Sequence, residues 1–209
     1  PAYGVTQYYN ATHGKYLMDW RLNADGTSGG EGWAAADGDM DIAMALLMAD
    51  KQWGSTGTWN YLQEARNTIA GLKTSTIMAP DGTTRSLYRQ DISRTSDYMF
   101  GHFRAFQSAT SDPFWNTVID RSLQLTELMQ TKFAPSTGLL PDFIVGTDTA
   151  NPSPAPAYGG GDRSEFDGQF YWNACRNPWR WATDYVLSGD ARVKAVNMRL
   201  LDFFQARFQ

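Results

Sequence analysis

The 209-residue chain contains little cysteine, histidine or glutamate, and each shortage narrows the chemistry open to it. Cys175 is the only cysteine, which excludes an intrachain disulfide and a cysteine-based zinc site. The two histidines, His13 and His102, lie in no motif typical of a Ser-His-Asp triad or a His-rich metal centre. His102 stands in an aromatic helical stretch, where we expect a satisfied core histidine.

The chain also lacks a long apolar run and an excess of basic residues. No apolar run approaches the ~20 residues of a transmembrane helix, so we expect no membrane partner. Lys and Arg total 18 against 22 Asp and Glu, which argues against a nucleic-acid partner. No signal peptide is recognisable, and the chain starts at Pro1 without an initiator Met. We therefore expect a mature, trimmed or excised segment.

Apolar periodicity predicts six helices, which alternate between a buried and an amphipathic surface kind. Their expected ranges are 39–53, 59–72, 96–109, 113–133, 178–187 and 190–208. The first is apolar all round over 42–49, so we expect it to be buried on every side. The pattern predicts an all-α arc of inner helices wrapped by outer ones. Three long loops, 21–34, 73–93 and 134–168, lead towards inner helices, and we expect them to gather with the functional site at one end of the arc.

The densest acidic motif is Asp37-Gly38-Asp39-Met40-Asp41, at the start of the first predicted helix. Helix capping explains one or two of these carboxylates. A calcium loop is disfavoured because the next residues are apolar and the required Gly and terminal Glu are missing. Polysaccharide hydrolysis fits better, because glycosidases need carboxyl groups beside aromatic faces that stack on sugars. Trp20 and Trp33 precede the motif.

The stretch from Ala35 to Trp53 resembles the signature of glycoside hydrolase family 8. That signature runs Ala, Ser or Thr, Asp, Ala or Gly, Asp, two free positions and Ile-Ala, and it ends with Ala, three free positions and Trp. Only Ala36 departs, where the family expects Ser or Thr. Further matches lie at Leu17–Trp20, Gln63–Arg66, Thr137–Asp142 and Asn173–Arg180.

This resemblance implies an (α/α)6 barrel that hydrolyses β-1,4-linked glucans, mixed-linkage β-glucans, xylans or chitosan with inversion. Inversion requires a general acid and a general base, with a water between the base and the sugar. The family's general acid is a Glu upstream of the first segment seen here, and the chain contains no such motif. Residues 1–209 would then form one catalytic domain that covers about the middle half of the barrel, without its N-terminal and C-terminal helices.

The resemblance also implies an unusual base. One branch of the family has an Asp where this chain has Asn173, and an amide cannot accept a proton from water. Another branch has Asn there and takes its base from a Glu in the preceding loop, which makes Glu165 the candidate. Asp162 and Asp167 are the fallbacks, and an ordinary solvated loop acid is the alternative reading of Glu165.

The remaining site residues are implied by the same resemblance. Asp37 matches a group that fixes and distorts the sugar, and Arg176 matches an Arg near the base. The predicted substrate-binding residues are Trp20, Tyr88, Tyr98, Trp172, Asn173 and Arg176, although Tyr98 could equally belong to the core. We expect a secreted, inverting endo-hydrolase that is a monomer when complete and needs no metal or cofactor. A non-catalytic carbohydrate-binding protein and a purely structural helical module remain the alternatives.

Overall fold

A computed structural model describes residues 16–29, 34–86, 89–159 and 164–208, and within them all six predicted helices are present. They are α1 (Ala36–Trp53), α2 (Tyr61–Thr74), α3 (Phe100–Thr110), α4 (Phe114–Leu128), α5 (Asn177–Ser188) and α6 (Ala191–Arg207). The helix α3 begins later than expected because Thr95–Asp97 forms a 3-10 turn. The helix α4 ends earlier because Met129–Phe133 continues it as a π-helical turn.

The helices pack as an arc of three helical hairpins. The inner helix α3 lies between α1 and α5, while α2, α4 and α6 each pack outside the inner helix that precedes them in sequence. Large aromatic side chains fill the space between the two layers. Phe103 of α3 stacks on Trp115 of α4, and both are fully buried. The chain is therefore all-α with the inner and outer layers of an (α/α)6 barrel, of which it forms a part.

Polar residues at the predicted turns fix where several helices begin. The carboxylate of Asp112 accepts a hydrogen bond from the backbone N–H of Phe114 at 3.0 Å. Asp190 caps α6 in the same manner, and Asn60 caps α2. These side chains satisfy backbone donors that have no partner inside the helix. Short, capped connections keep each outer helix antiparallel to its inner neighbour.

Two of the long loops meet in a small antiparallel sheet. Strand β1 (Ile92–Arg94) pairs with β2 (Phe143–Val145), which pairs with β3 (Ser153–Pro154). The register places Arg94 opposite Phe143. The first loop forms the predicted hairpin over its described part, closed by a bridge between Leu22 and Ser28. The sheet confirms that the second and third loops gather at one end of the arc.

The prediction that α1 is buried on every side is wrong. Met48 and Trp53 are 63% and 72% exposed, and Ile42 is also exposed. These side chains lack a neighbouring helix, because α1 stands at one edge of the arc. At the other edge, Val186 and Leu187 of α5 are equally uncovered. The described helices include none that is long and apolar enough to cross a membrane.

Candidate active site

Charged side chains meet at the end of the arc where the inner helices begin. Asp37 lies in the first turn of α1, Arg94 ends β1 just before α3, and Arg176 immediately precedes α5. The Asp37 carboxylate is paired with both arginines: Oδ1 lies 2.7 Å from Nη2 of Arg94, and Oδ2 lies 3.0 Å from Nη1 of Arg176. One carboxylate thus links the segments at which all three inner helices begin.

This double ion pair fixes the ionisation of Asp37. Burial of the carboxyl raises its pKa, but the charges of Arg94 and Arg176 and the hydrogen bond from Arg94 outweigh burial. The pKa of Asp37 therefore lies below its ordinary value. A carboxylate held in this state does not donate a proton near neutral pH, so it serves to hold hydroxyl groups or stabilise positive charge.

Arg94 and Asp97 belong to the site, although the sequence reasoning missed both. Arg94 Nη2 lies 2.9 Å from Oδ1 of Asp97, and both side chains are largely buried. Arg94 therefore bridges two carboxylates, Asp37 and Asp97. The signal that could have found Arg94 is its position. The segment 94–97 comes just before the inner helix α3, and Asp37 and Arg176 likewise lie at the starts of the inner helices α1 and α5.

A second buried carboxylate, Asp142, builds the turn that carries Asn173 and Arg176. Its Oδ1 accepts the backbone N–H groups of Tyr171 and Ala174 at 3.0 and 2.8 Å. Its Oδ2 accepts the backbone and side-chain N–H groups of Asn173, both at 2.9 Å. Asp142 is only 3% exposed, so these four hydrogen bonds set the path of the turn.

Asn173 itself is a support for Arg176. Its Oδ1 accepts a hydrogen bond from Nη2 of Arg176 at 2.5 Å, and the residue is only 4% exposed. Its amide oxygen and nitrogen therefore both have protein partners, Arg176 and Asp142. The side chain is therefore little exposed, and the expectation that Asn173 binds substrate stays a prediction. Asn173 orients the arginine that holds Asp37.

The predicted aromatic residues divide into two groups. Trp20 and Trp172 are 51% and 73% exposed, so both present ring area to solvent. Tyr98 is fully buried, and its hydroxyl lies 3.0 Å from Oγ of Ser93. The prediction that Tyr98 stacks on sugar is therefore wrong, since its ring packs in the core. Tyr88 lies outside the described residues.

Glu165 lies exposed on the turn that leads to Trp172. The next residue, Phe166, packs its ring on Tyr171 with 4.5 Å between centroids. That contact ties the turn of Glu165 to the segment carrying Trp172. Asp167, a fallback candidate, is 1% exposed and accepts the backbone N–H of Ser164 at 3.1 Å, so it stabilises the turn. Asp162, the other fallback, lies outside the described residues.

Asp39 lies two residues beyond Asp37 in the first turn of α1. Burial and the nearby Asp37 charge raise the pKa of Asp39 to about 7, although a hydrogen bond from the Met18 N–H opposes the rise. His102 is partly exposed, and its Nε2 lies 2.9 Å from Oδ1 of Asp41, so it is not a core histidine. In the described part of the chain, no group of three or more His, Cys, Asp or Glu side chains could hold a metal.

Comparison with known proteins agrees with this architecture. The sequence matches the family described as glycosyl hydrolases family 8 over residues 2–209. The chain belongs to this family. A β-glucanase of Niallia circulans is 40% identical over 200 residues, covering 90% of this chain and 48% of the relative. An endoglucanase of Bacillus sp. strain KSM-330 is 36% identical, covering 91% of this chain and 41% of the relative.

Solved structures of the family superpose on the arc. A β-1,3-1,4-glucanase from Paenibacillus sp. X4 matches with a TM-score of 0.86 at 36% identity, covering 98% of this chain and 56% of that one. A xylanase from Teredinibacter turnerae matches in fold alone, with a TM-score of 0.76 at 22% identity, covering 92% of this chain and 52% of that one. This chain spans about half the length of the curated relatives it matches.

Proposed function

We propose that this family 8 chain is the site-bearing part of an inverting endo-glycoside hydrolase that cleaves β-1,4 linkages in a neutral glucan. The observation that carries the proposal is the ionised Asp37, held by Arg94 and Arg176 at the mouth of the inner helices. Relatives at 40% and 36% identity are named as a β-glucanase and an endoglucanase, which supports a glucan substrate. Exposed Trp20 and Trp172 offer faces for sugar rings.

In the proposed reaction, Glu165 takes a proton from the water that attacks the anomeric carbon. Its exposed carboxylate is accessible to water, whereas Asp167 is buried in the turn and Asn173 is an amide. Asp37 holds the sugar at the point of cleavage, and its negative charge stabilises the oxocarbenium-like transition state. A carboxylic acid outside this chain protonates the leaving oxygen, because Asp37 remains ionised.

The charge around Asp37 favours a neutral polymer over cationic chitosan. Arg180 interacts electrostatically with both Asp37 and Asp97, so it joins Arg94 and Arg176 in the site. These three arginines surround Asp37 and Asp97, and their positive charge repels protonated amines from this point of the site. We expect the full-length protein to hydrolyse lichenan, and to hydrolyse chitosan at most in traces. Faster release of reducing ends from chitosan would contradict this assignment.

The base assignment is tested with Glu165→Gln in the full-length protein. We expect kcat on lichenan to fall by about 10²–10⁴-fold because the attacking water loses its proton acceptor. Oligosaccharide binding, measured by calorimetry, should persist. Glu127→Gln is the matched control, since Glu127 is exposed on the outer helix α4. Near-normal turnover by Glu165→Gln would exclude this role.

The stereochemistry and the extent of the protein are part of the same proposal. An inverting enzyme releases the α-anomer from a β-linked glucan, which proton NMR of the fresh product detects.

We propose that residues 1–209 belong to one catalytic domain and that the protein is secreted, because a polymeric glucan is hydrolysed outside the cell. Release of no reducing sugar from any glucan, together with retained binding, would favour the non-catalytic carbohydrate-binding alternative.

A further inference from the structure

The segment that carries Trp20 is attached to α1 through a buried carboxylate. The backbone N–H of Met18 donates a hydrogen bond to Oδ1 of Asp39 at 2.8 Å. Asp39 is 1% exposed, and it lies two residues beyond Asp37 in the first turn of α1. The hydrogen bond therefore joins the chain two residues before Trp20 to the helix turn that carries the Asp37 carboxylate.

A second carboxylate, Asp19, attaches the same segment to the hairpin that follows Trp20. Asp19 accepts hydrogen bonds from the hydroxyl of Ser28 and from the backbone N–H of Arg21, so it closes the hairpin that follows Trp20. Trp20 thus follows two anchored residues: Asp39 holds the Met18 backbone, and the hairpin holds the Asp19 side chain. These two contacts define the backbone position of Trp20, and its indole is half-exposed.

A cavity shows why the contact to Asp39 matters for the position of Trp20. The space between the Trp20 segment and the start of α1 contains a cavity of about 240 Å³, lined by Met18, Asp19, Trp20, Ala35, Gly38, Asp39 and Ile42. Side chains do not fill this space, so packing alone does not fix the separation of segment and helix. The other oxygen of Asp39, Oδ2, is buried there without a hydrogen-bond partner. A buried acceptor in this setting is costly to keep, which points to a role beyond packing.

We propose that Asp39 is a positioning residue for Trp20, setting the separation between the indole and the Asp37 carboxylate by anchoring the Met18 backbone. This inference rests on the proposed glucan hydrolysis, in which Trp20 stacks on a sugar ring that Asp37 holds. Asp39 acts through Trp20 and contacts no substrate itself. Its effect therefore belongs to substrate binding and not to the chemical step.

The test is a double-mutant cycle in the full-length protein with a soluble β-glucan. Asp39→Ala and Trp20→Ala should each raise KM by about tenfold, with kcat within about threefold of the parent, because each removes a correctly placed stacking face. The double variant should show about the same tenfold rise, since the anchor has no effect once the indole is gone. Asp39→Asn, which retains an oxygen acceptor for the Met18 N–H, should restore a KM close to that of the parent.

Several outcomes would overturn the positioning role. A hundredfold rise in the KM of the double variant would show that the two residues act independently. An unchanged KM in Asp39→Ala would show that the anchor does not position the indole. If Asp39→Ala does not fold, Asp39→Leu replaces it in the cycle, because leucine fills the space but accepts no hydrogen bond. Asp120→Asn is the control, since Asp120 is exposed on the outer helix α4. Failure of the proposed function would look different, because the parent protein itself would then release no sugar from glucan.

Discussion

The inner helices α1 and α3 have similar apolar sequences but different surroundings. Phe100, Phe103 and Phe106 of α3 are all fully buried, because α3 has α1 on one side and α5 on the other. In α1, Met40 and Ala43 are buried, whereas Ile42 and Met48 are exposed. The difference comes from position in the arc and not from composition. The burial of an apolar helix therefore depends on how many helices pack against it.

The largest expected effect is at the centre of the arc. Phe103→Ala should lower the free energy of unfolding of the 209-residue chain by about 3–5 kcal/mol, because it leaves a cavity against Trp115. Urea unfolding followed by circular dichroism measures this loss. Val186→Ala, at an 80% exposed position of α5, is the control and should change stability by less than about 0.5 kcal/mol. A loss below about 1 kcal/mol in Phe103→Ala would show that the centre is not tightly packed.

Asp39, at the start of the edge helix, should make stability depend on pH. Its pKa is about 7 in the folded chain and near 4 when unfolded, so the folded chain keeps a proton between these values that the unfolded chain has released. Stability should therefore fall as pH rises from about 4 to about 7, by up to about 4 kcal/mol from this group.

Burial also shifts the pKa of other groups, so the comparison with a variant isolates Asp39. Burial lowers the pKa of His102 and raises the pKa of Asp97, and these two shifts act in opposite directions. Asp39→Asn removes one titration and leaves both others in place. The stability difference between Asp39→Asn and the parent should grow in favour of the variant from pH 4 to pH 8. A constant difference would contradict the raised pKa.

Ion pairs provide a smaller test of centre against surface. Arg104 of α3 pairs with Asp184 of α5 at 2.8 Å, and Asp184 is 1% exposed on its side chain. Asp184→Asn should cost about 2 kcal/mol because it weakens a charged hydrogen bond to a buried group. Asp120→Asn removes an exposed pair with Arg192 and should cost less than about 1 kcal/mol. Equal losses of unfolding free energy in denaturant would show that burial does not distinguish these two ion pairs.

The same contrast explains what the sequence could and could not predict. Alternating apolar and amphipathic patterns predicted the two helical layers, because each pattern reports local periodicity. Edge and centre were not distinguishable, since both inner helices are apolar and burial depends on neighbours far along the chain. Asp37 was found through the family signature, and Arg176 through the further match at Asn173–Arg180. Arg94 was missed because its local signal is only its position before α3, whereas the pairing of β1 with β2 that holds it joins distant segments.

Tyr98 shows the limit of choosing site residues by type. Its ring suits sugar stacking as well as the rings of Trp20 and Trp172 do, and the sequence left open whether Tyr98 belongs to the core. In the structure the Tyr98 hydroxyl has a buried partner in Ser93, whereas both indoles reach the surface. Whether an aromatic residue faces solvent is decided by the hydrogen-bond partner of its polar atom and by the element beside it.

The smallest expected effect on stability is at the edge of the arc. Met48 is 63% exposed on α1, so Met48→Gln should change the unfolding free energy of the 209-residue chain by less than about 0.5 kcal/mol. It should still reduce self-association in sedimentation velocity, because Met48 forms an uncovered apolar flank together with Ile42 and Trp53. Gln124→Ala, on the outer helix α4, should leave association unchanged. A cost above about 1 kcal/mol for Met48→Gln would mean that this flank is covered in solution, and α1 would then resemble α3 after all.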